Sequence, residues 1–147
     1  MHRAAYEAGI EVRGSFILGL PGETPEMGQK TLDFALTLDL DYGQFNLVSP
    51  FQGTEMYDEC KDPKNGTFDD GGDYSNYHIA GLIFLPKDYQ NKDQLLKLRD
   101  QAYKKFYFRP KYWKLKLKQI NSFEDIVRYW RGLLFFLDVR VINSGKY

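Results

Sequence analysis

The sequence predicts an α/β fold followed by a helical region, and three observations carry this prediction. A glycine-rich turn joins a strand near residues 12–19 to a helix at 25–38. A second strand is predicted near 43–49, and the later part of the chain has apolar residues at the spacing of helices. The predicted domains are 1–86, with βα units and an acidic loop, and 87–147, a basic, aromatic-rich helical region.

The first strand ends in a turn that is a candidate ligand site. Phe16, Ile17 and Leu18 form a continuous apolar run, which is typical of a strand covered on both faces. Gly19 and Gly22 permit backbone angles and close approaches that a side chain would prevent. Because α/β proteins place ligands where parallel strands end, we expect a ligand here, and an ordinary βα turn without a ligand is the alternative.

The next helix and strand follow from capping and alternation. Thr24 is predicted to cap the helix, with Pro25 at its first position. In the second strand Gln44 and Asn46 flank the apolar Phe45. In a barrel alternate residues point inward, so we expect the two amides to face the lumen while Phe45 faces the helices. Asn46 is expected either to contact a ligand or to form hydrogen bonds with backbone groups near the end of the strand.

The remainder of the chain predicts more helix. A short helix from Thr54 to Cys60 precedes residues 61–76, whose acidic and glycine-rich composition predicts an exposed loop. A helix over 92–108 has apolar residues at spacings of three and four. Further helices are predicted at 111–119 and after Ser122, where the second has a broad apolar face.

Composition and charge limit the classes of function that this chain can have. Residues 1–86 carry 5 basic and 14 acidic side chains, whereas 87–147 carry 15 basic and 6 acidic ones. The two regions are expected to attract each other, and the alternative is a basic surface for a membrane or a nucleic acid. A single cysteine, Cys60, provides no disulfide framework and no metal-binding pattern, and no signal peptide or membrane span is evident. We therefore expect a cytoplasmic protein, with peripheral membrane contact as an alternative, and predict no metal ligands.

Three motifs resemble one family. Gly14–Glu26 and Phe45–Glu55 are similar to the fifth and sixth barrel strands of radical SAM enzymes, in the subgroup with an N-terminal cobalamin-binding domain. Ala102–Pro110 resembles the signature that follows the barrel in that subgroup. The departures are Phe51 and Gln52, where the family often has Tyr and Pro. The resemblance implies a partial TIM barrel, and it accounts for the basic aromatic stretch without a nucleic acid.

The resemblance also implies a cofactor site. The intact enzyme would use S-adenosylmethionine, a 4Fe-4S cluster and, in this subgroup, cobalamin. The implied cofactor-binding residues lie on the two strands and the turn: Ile17, Leu18, Gly19, Gly22, Glu23, Gln44 and Asn46. No catalytic residue and no metal ligand is assigned, and the substrate is left open as a small or lipid-like molecule.

The family's cluster motif is missing, which sets the expectation for this chain. A Cys-x3-Cys-x2-Cys loop needs three cysteines, and the sequence contains one. A complete (β/α)8 barrel also needs about 250 residues, more than the 147 present. We therefore expect a C-terminal fragment whose partner is the missing N-terminal part, and which is inactive and cofactor-free when alone. A non-catalytic module that binds a membrane or a partner through basic helices is the alternative.

Overall fold

The computed structural model describes residues 8, 10–69, 71, 82–113 and 127. Almost all of them fall in one compact unit, 1–112. The elements are β1 (Arg13–Leu18), α1 (Pro25–Thr37), β2 (Tyr42–Leu47), α2 (Glu55–Lys61), β3 (Gly66–Phe68), β4 (Phe84–Pro86) and α3 (Lys92–Tyr107). The α/β class predicted from the sequence is confirmed.

The two predicted strands form a parallel pair joined by α1. Their register runs without a bulge from Arg13 opposite Tyr42 to Leu18 opposite Leu47. A second, antiparallel pair joins β3 to β4. Within the described ranges these are two separate two-stranded sheets, and they do not form a closed barrel.

Helix α1 begins as predicted. The Thr24 side chain accepts a hydrogen bond from the Met27 amide at 3.3 Å, and Pro25 opens the helix. Leu32 and Ala35 are fully buried and belong to the main core with β1 and β2. Because the apolar residues of α1 recur at helical spacing, they lie on one side of the helix. That side packs against one face of the strand pair.

Helix α3 covers the same face of the strands. The Asn91 side chain caps it by accepting from the Gln94 amide at 2.9 Å. Its predicted apolar positions are buried, with Leu95, Ala102 and Phe106 fully excluded from solvent. The predicted helix over 92–108 is therefore confirmed to within one residue at its end.

Two tyrosines of α3 bond to the backbone of β2. The Tyr103 hydroxyl accepts from the Phe45 amide at 3.1 Å. The Tyr107 hydroxyl accepts from the Gly43 amide at 3.3 Å and donates to the Gly43 carbonyl at 2.9 Å. In a parallel strand these alternate residues direct their backbone groups away from the paired strand, where an edge would otherwise be open. Side chains thus occupy positions that a further strand would take.

Arg109 is a structural cation at the end of α1. Its Nη1 donates to the Leu36 carbonyl at 2.8 Å, and the guanidinium lies 4.2 Å from the centroid of the Phe106 ring. Burial lowers the pKa of Arg109, and Asp39 opposes this shift. Lys111 forms an ion pair with Asp39 at the same helix end. Both cations lie where the helix dipole favours positive charge.

The segment after α2 differs from the prediction. Residues 66–68 were predicted as exposed loop, but they form β3, which pairs with β4 across the intervening chain. The pair is only three residues long, which is too short for an alternation pattern to be read from the sequence. The predicted helix after Ser122 lies outside the described residues apart from position 127, as does most of the one predicted at 111–119.

Candidate functional site

One face of the β1–β2 pair is open and mostly polar. We call Ser15, Ile17, Gln44 and Asn46 the open face. Asn46 Nδ2 donates to Ser15 Oγ at 3.5 Å, and Gln44 Nε2 donates to Asn46 Oδ1 at 3.2 Å. Ile17 is 47% exposed, so the expectation that β1 is covered on both faces is wrong for the described chain. The prediction that Phe45 faces the helices while the two amides lie on the opposite side of the strand is confirmed. The described strands enclose no barrel lumen, so the amides lie on an open, amide-rich surface.

The glycine turn, residues 19–23, lies at the carboxyl end of β1. Gly19 and Gly22 have φ of +82° and +76°, in the left-handed region that favours glycine. A Cβ on Gly19 would lie 2.8 Å from Leu95 Cδ2, whereas one on Gly22 would meet nothing within 4 Å. A side chain at position 19 would therefore displace the end of Leu95 as well as strain the backbone, whereas Gly22 leaves space beside the turn.

The Glu23 side chain is directed into the protein. Only 6% of the residue is exposed, and Oε1 accepts from the Gly19 amide at 2.9 Å. Oε2 lies 3.5 Å from the Leu20 amide, and the Tyr89 hydroxyl donates to Oε1 at 2.7 Å. Burial, together with the bond to Glu23, raises the pKa of Tyr89. These hydrogen bonds stabilise the conformation of the turn from its buried side.

The predicted site residues fall into two groups. Ile17 and Asn46 are register partners on the open face, and Gln44 lies on the same face. Leu18 is fully buried on the helix side, so only its backbone borders the strand end. The buried Gly19 and Glu23 shape the turn, and Gly22 is its exposed member. The fold therefore brings the open face and the turn together at one end of the sheet.

Two residues were missed by the sequence analysis. Ser15 lies on the open face two residues before Ile17, and strand alternation contains this signal. Tyr89 contacts Glu23 across 66 residues of sequence, and no local pattern indicates such a contact.

The described part of the chain offers no metal centre. It has no group of three His, Cys, Asp or Glu side chains placed to hold an ion. Cys60 is fully buried, and burial, with a smaller effect of Glu59, raises the pKa of its thiol from 9.0 to about 11. Such a thiol is protonated at neutral pH and is a poor nucleophile or ligand. None of the described helices is both long and apolar enough to cross a membrane.

Comparisons with known proteins point to methyltransferases. The chain is 30% identical over 148 residues to the uncharacterized methyltransferase PH0819 of Pyrococcus horikoshii, an alignment covering 90% of the chain and 28% of that protein. It is 30% identical over 98 residues to the bacteriochlorophyllide d C-12(1)-methyltransferase of Chlorobaculum tepidum, covering 65% of the chain and 20% of that protein. The chain thus spans about a quarter of the length of these curated relatives. No family model matches it.

These names correct the family prediction. Both relatives are named as methyltransferases, and on this finding the assignment to radical SAM enzymes with a cobalamin-binding domain is wrong. The function predicted as a fragment of such an enzyme is corrected with it, as are the iron–sulfur and TIM-barrel descriptions. The physical reason is that the matched motifs encode a strand, a glycine turn and a capped helix. Such motifs report backbone geometry, which many chemistries share.

Proposed function

We propose that this chain is a segment of an S-adenosylmethionine-dependent methyltransferase, and that its open face and glycine turn form one wall of the site for S-adenosylmethionine or the methyl acceptor. The observation that carries the proposal is the similarity over 90% of the chain to a protein named as a methyltransferase. S-adenosylmethionine supplies the methyl group in such a reaction. The rest of the site, and the acceptor, belong to the remainder of the protein in this proposal.

The residues present fit such a ligand. Gln44 and Asn46 offer amide donors and acceptors, which suit the edge of an adenine ring or a carboxylate. Ile17 offers an exposed apolar surface beside them, on which a flat ring can lie. Gly22 adds free space where a side chain would obstruct approach. Sites of this kind combine apolar contact with a few placed polar groups.

The exposed and the buried residues of the site have different roles in this proposal. The open-face side chains would bind and orient the ligand, whereas Glu23 would hold the turn without touching it, because its carboxylate is already engaged. In the whole protein we propose that β1 and β2 belong to a larger parallel sheet that continues beside β1, because Tyr103 and Tyr107 bond to the free edge of β2. The regions 1–86 and 87–147 would then be the strand-bearing and the helical parts of a cytoplasmic enzyme.

Binding of radiolabelled S-adenosylmethionine, measured by equilibrium dialysis, tests the proposal without knowledge of the acceptor. It is measured on the 147-residue chain and on the longest reading frame that contains it. Asn46→Ala is expected to weaken binding about fivefold, the effect of losing roughly one hydrogen bond. Gln101→Ala, an exposed amide on α3, is the matched control and is expected to bind like the unmodified protein.

The outcomes separate cleanly. Binding that S-adenosylhomocysteine displaces, and that Asn46→Ala weakens while Gln101→Ala does not, supports the proposal. Absence of binding in both proteins overturns it. Binding that is unaffected by Asn46→Ala and by Gln44→Ala places the ligand elsewhere and refutes the role of the open face.

A further inference from the structure

The Tyr89 hydroxyl is buried and makes one of the shortest side-chain contacts in the described chain. Tyr89 is 4% exposed and donates to Glu23 Oε1 at 2.7 Å. The same oxygen accepts from the Gly19 amide at 2.9 Å. A carboxylate removed from water is stable only when hydrogen bonds replace its hydration. Tyr89 is therefore one of the donors that keep Glu23 inside and against the turn.

Gly28 makes this contact possible. A Cβ at this position would lie 2.6 Å from the Tyr89 hydroxyl oxygen and 3.0 Å from Glu23 Oε1. It would also lie 2.6 Å from Leu98 Cδ2. Glycine in the interior of a helix is unfavourable relative to alanine. Its presence in α1, buried at the point where Tyr89 reaches Glu23, thus has a packing reason.

We propose that Tyr89 is a positioning residue. Through Glu23 it fixes the backbone of the glycine turn, and the fixed turn raises the affinity of the site for its ligand. This inference rests on the proposed function for its second half only. The Tyr89 hydroxyl donates to Glu23 Oε1, which also accepts from the Gly19 amide, so Tyr89 acts on the turn through these two groups. The segment before α3 then sets the conformation of a turn that lies 66 residues earlier.

Amide hydrogen exchange, read by NMR on the 147-residue chain, tests the first half. In Tyr89→Phe the Gly19 amide is expected to lose about tenfold or more of its protection, as on removal of a hydrogen bond to a charged group. The Asp41 amide, which donates to the Val12 carbonyl at 2.9 Å at the opposite end of the strand pair, is expected to keep its protection. Gly28→Ala is expected to reproduce the selective loss, although alanine alone would favour the helix.

Tyr103→Phe is the matched control, because it also removes a single hydrogen-bonded tyrosine hydroxyl, one that accepts from the Phe45 amide and does not contact Glu23 through a hydrogen bond. It is expected to leave Gly19 exchange unchanged. Equal protection of Gly19 in Tyr89→Phe and the unmodified chain overturns the inference. So does an equal loss of protection at Gly19 and Asp41, which would show a general loosening of the fold.

S-adenosylmethionine affinity, measured by the same dialysis, tests the second half. Tyr89→Phe is expected to bind several-fold more weakly than the unmodified protein. A loosened turn with unchanged affinity overturns the positioning role. If the unmodified protein binds no S-adenosylmethionine, the proposed function fails, and Gly19 exchange still decides whether Tyr89 fixes the turn.

Discussion

Phe106→Ala is expected to be among the most damaging substitutions in the described chain. The ring is fully buried, with centroids 5.9 Å from Phe45 and 6.1 Å from Tyr112, and it lies under the Arg109 guanidinium. Truncation of a buried phenylalanine costs about 3–5 kcal/mol through lost transfer energy and the cavity left behind. We expect the upper half of that range, because the ring also packs against the half-buried Arg109 guanidinium and has aromatic neighbours worth about 0.5–1.5 kcal/mol each.

Urea unfolding followed by circular dichroism measures this loss. A loss of that size lowers the midpoint by about 2 M for a typical dependence on urea. Phe108→Ala is the matched control, since Phe108 is two residues away and 64% exposed. It is expected to change stability by less than about 0.5 kcal/mol. Phe106→Leu keeps most of the apolar volume and preserves the comparison if the alanine variant does not fold. Equal midpoints for Phe106→Ala and Phe108→Ala would refute the reasoning.

Three further predictions follow from the turn, the thiol and the strand edge. Gly19→Ala is expected to destabilise the chain more than Gly22→Ala in thermal unfolding, because both have positive φ but only Gly19 meets a neighbour; the reverse order would contradict this. Cys60 is expected to react with Ellman's reagent at pH 8 far more slowly in the folded chain than in urea, and equal rates would refute its burial. Because its pKa rises from 9.0 to about 11 on folding, its contribution to stability is present below pH 9 and lost as pH rises through about 11. Removal of both hydroxyls in a Tyr103→Phe, Tyr107→Phe variant is expected to cost about 1 kcal/mol each and to promote self-association in sedimentation velocity; an unchanged sedimentation coefficient would argue against edge protection.

Local signals in the sequence predicted the main elements well. Thr24 and Pro25 mark the start of α1 because capping and the fixed φ of proline act within one turn of helix. Gln44 and Asn46 were correctly placed on the face opposite the helices, because side chains in a strand alternate between two faces. These features depend on near neighbours alone.

Features that depend on distant partners were not predictable. The exposure of Ile17 is set by what covers the sheet, and an apolar run does not reveal this. The contact of Tyr89 with Glu23 depends on how the chain returns to the turn. The chemistry itself was assigned wrongly, because a glycine turn indicates a backbone geometry and does not specify a reaction.

The bonds that α3 and its end make to earlier elements bear on the order in which the chain folds during synthesis. The Gly43 and Phe45 amides find their hydroxyl partners 64 and 58 residues later, and the Leu36 carbonyl finds Arg109 after 73. Contacts over such distances close large loops and form slowly. On the ribosome, β1, α1 and β2 therefore emerge well before the residues that complete them. During that interval the nascent strand pair has an open edge, and it is then that a chaperone would have most to protect.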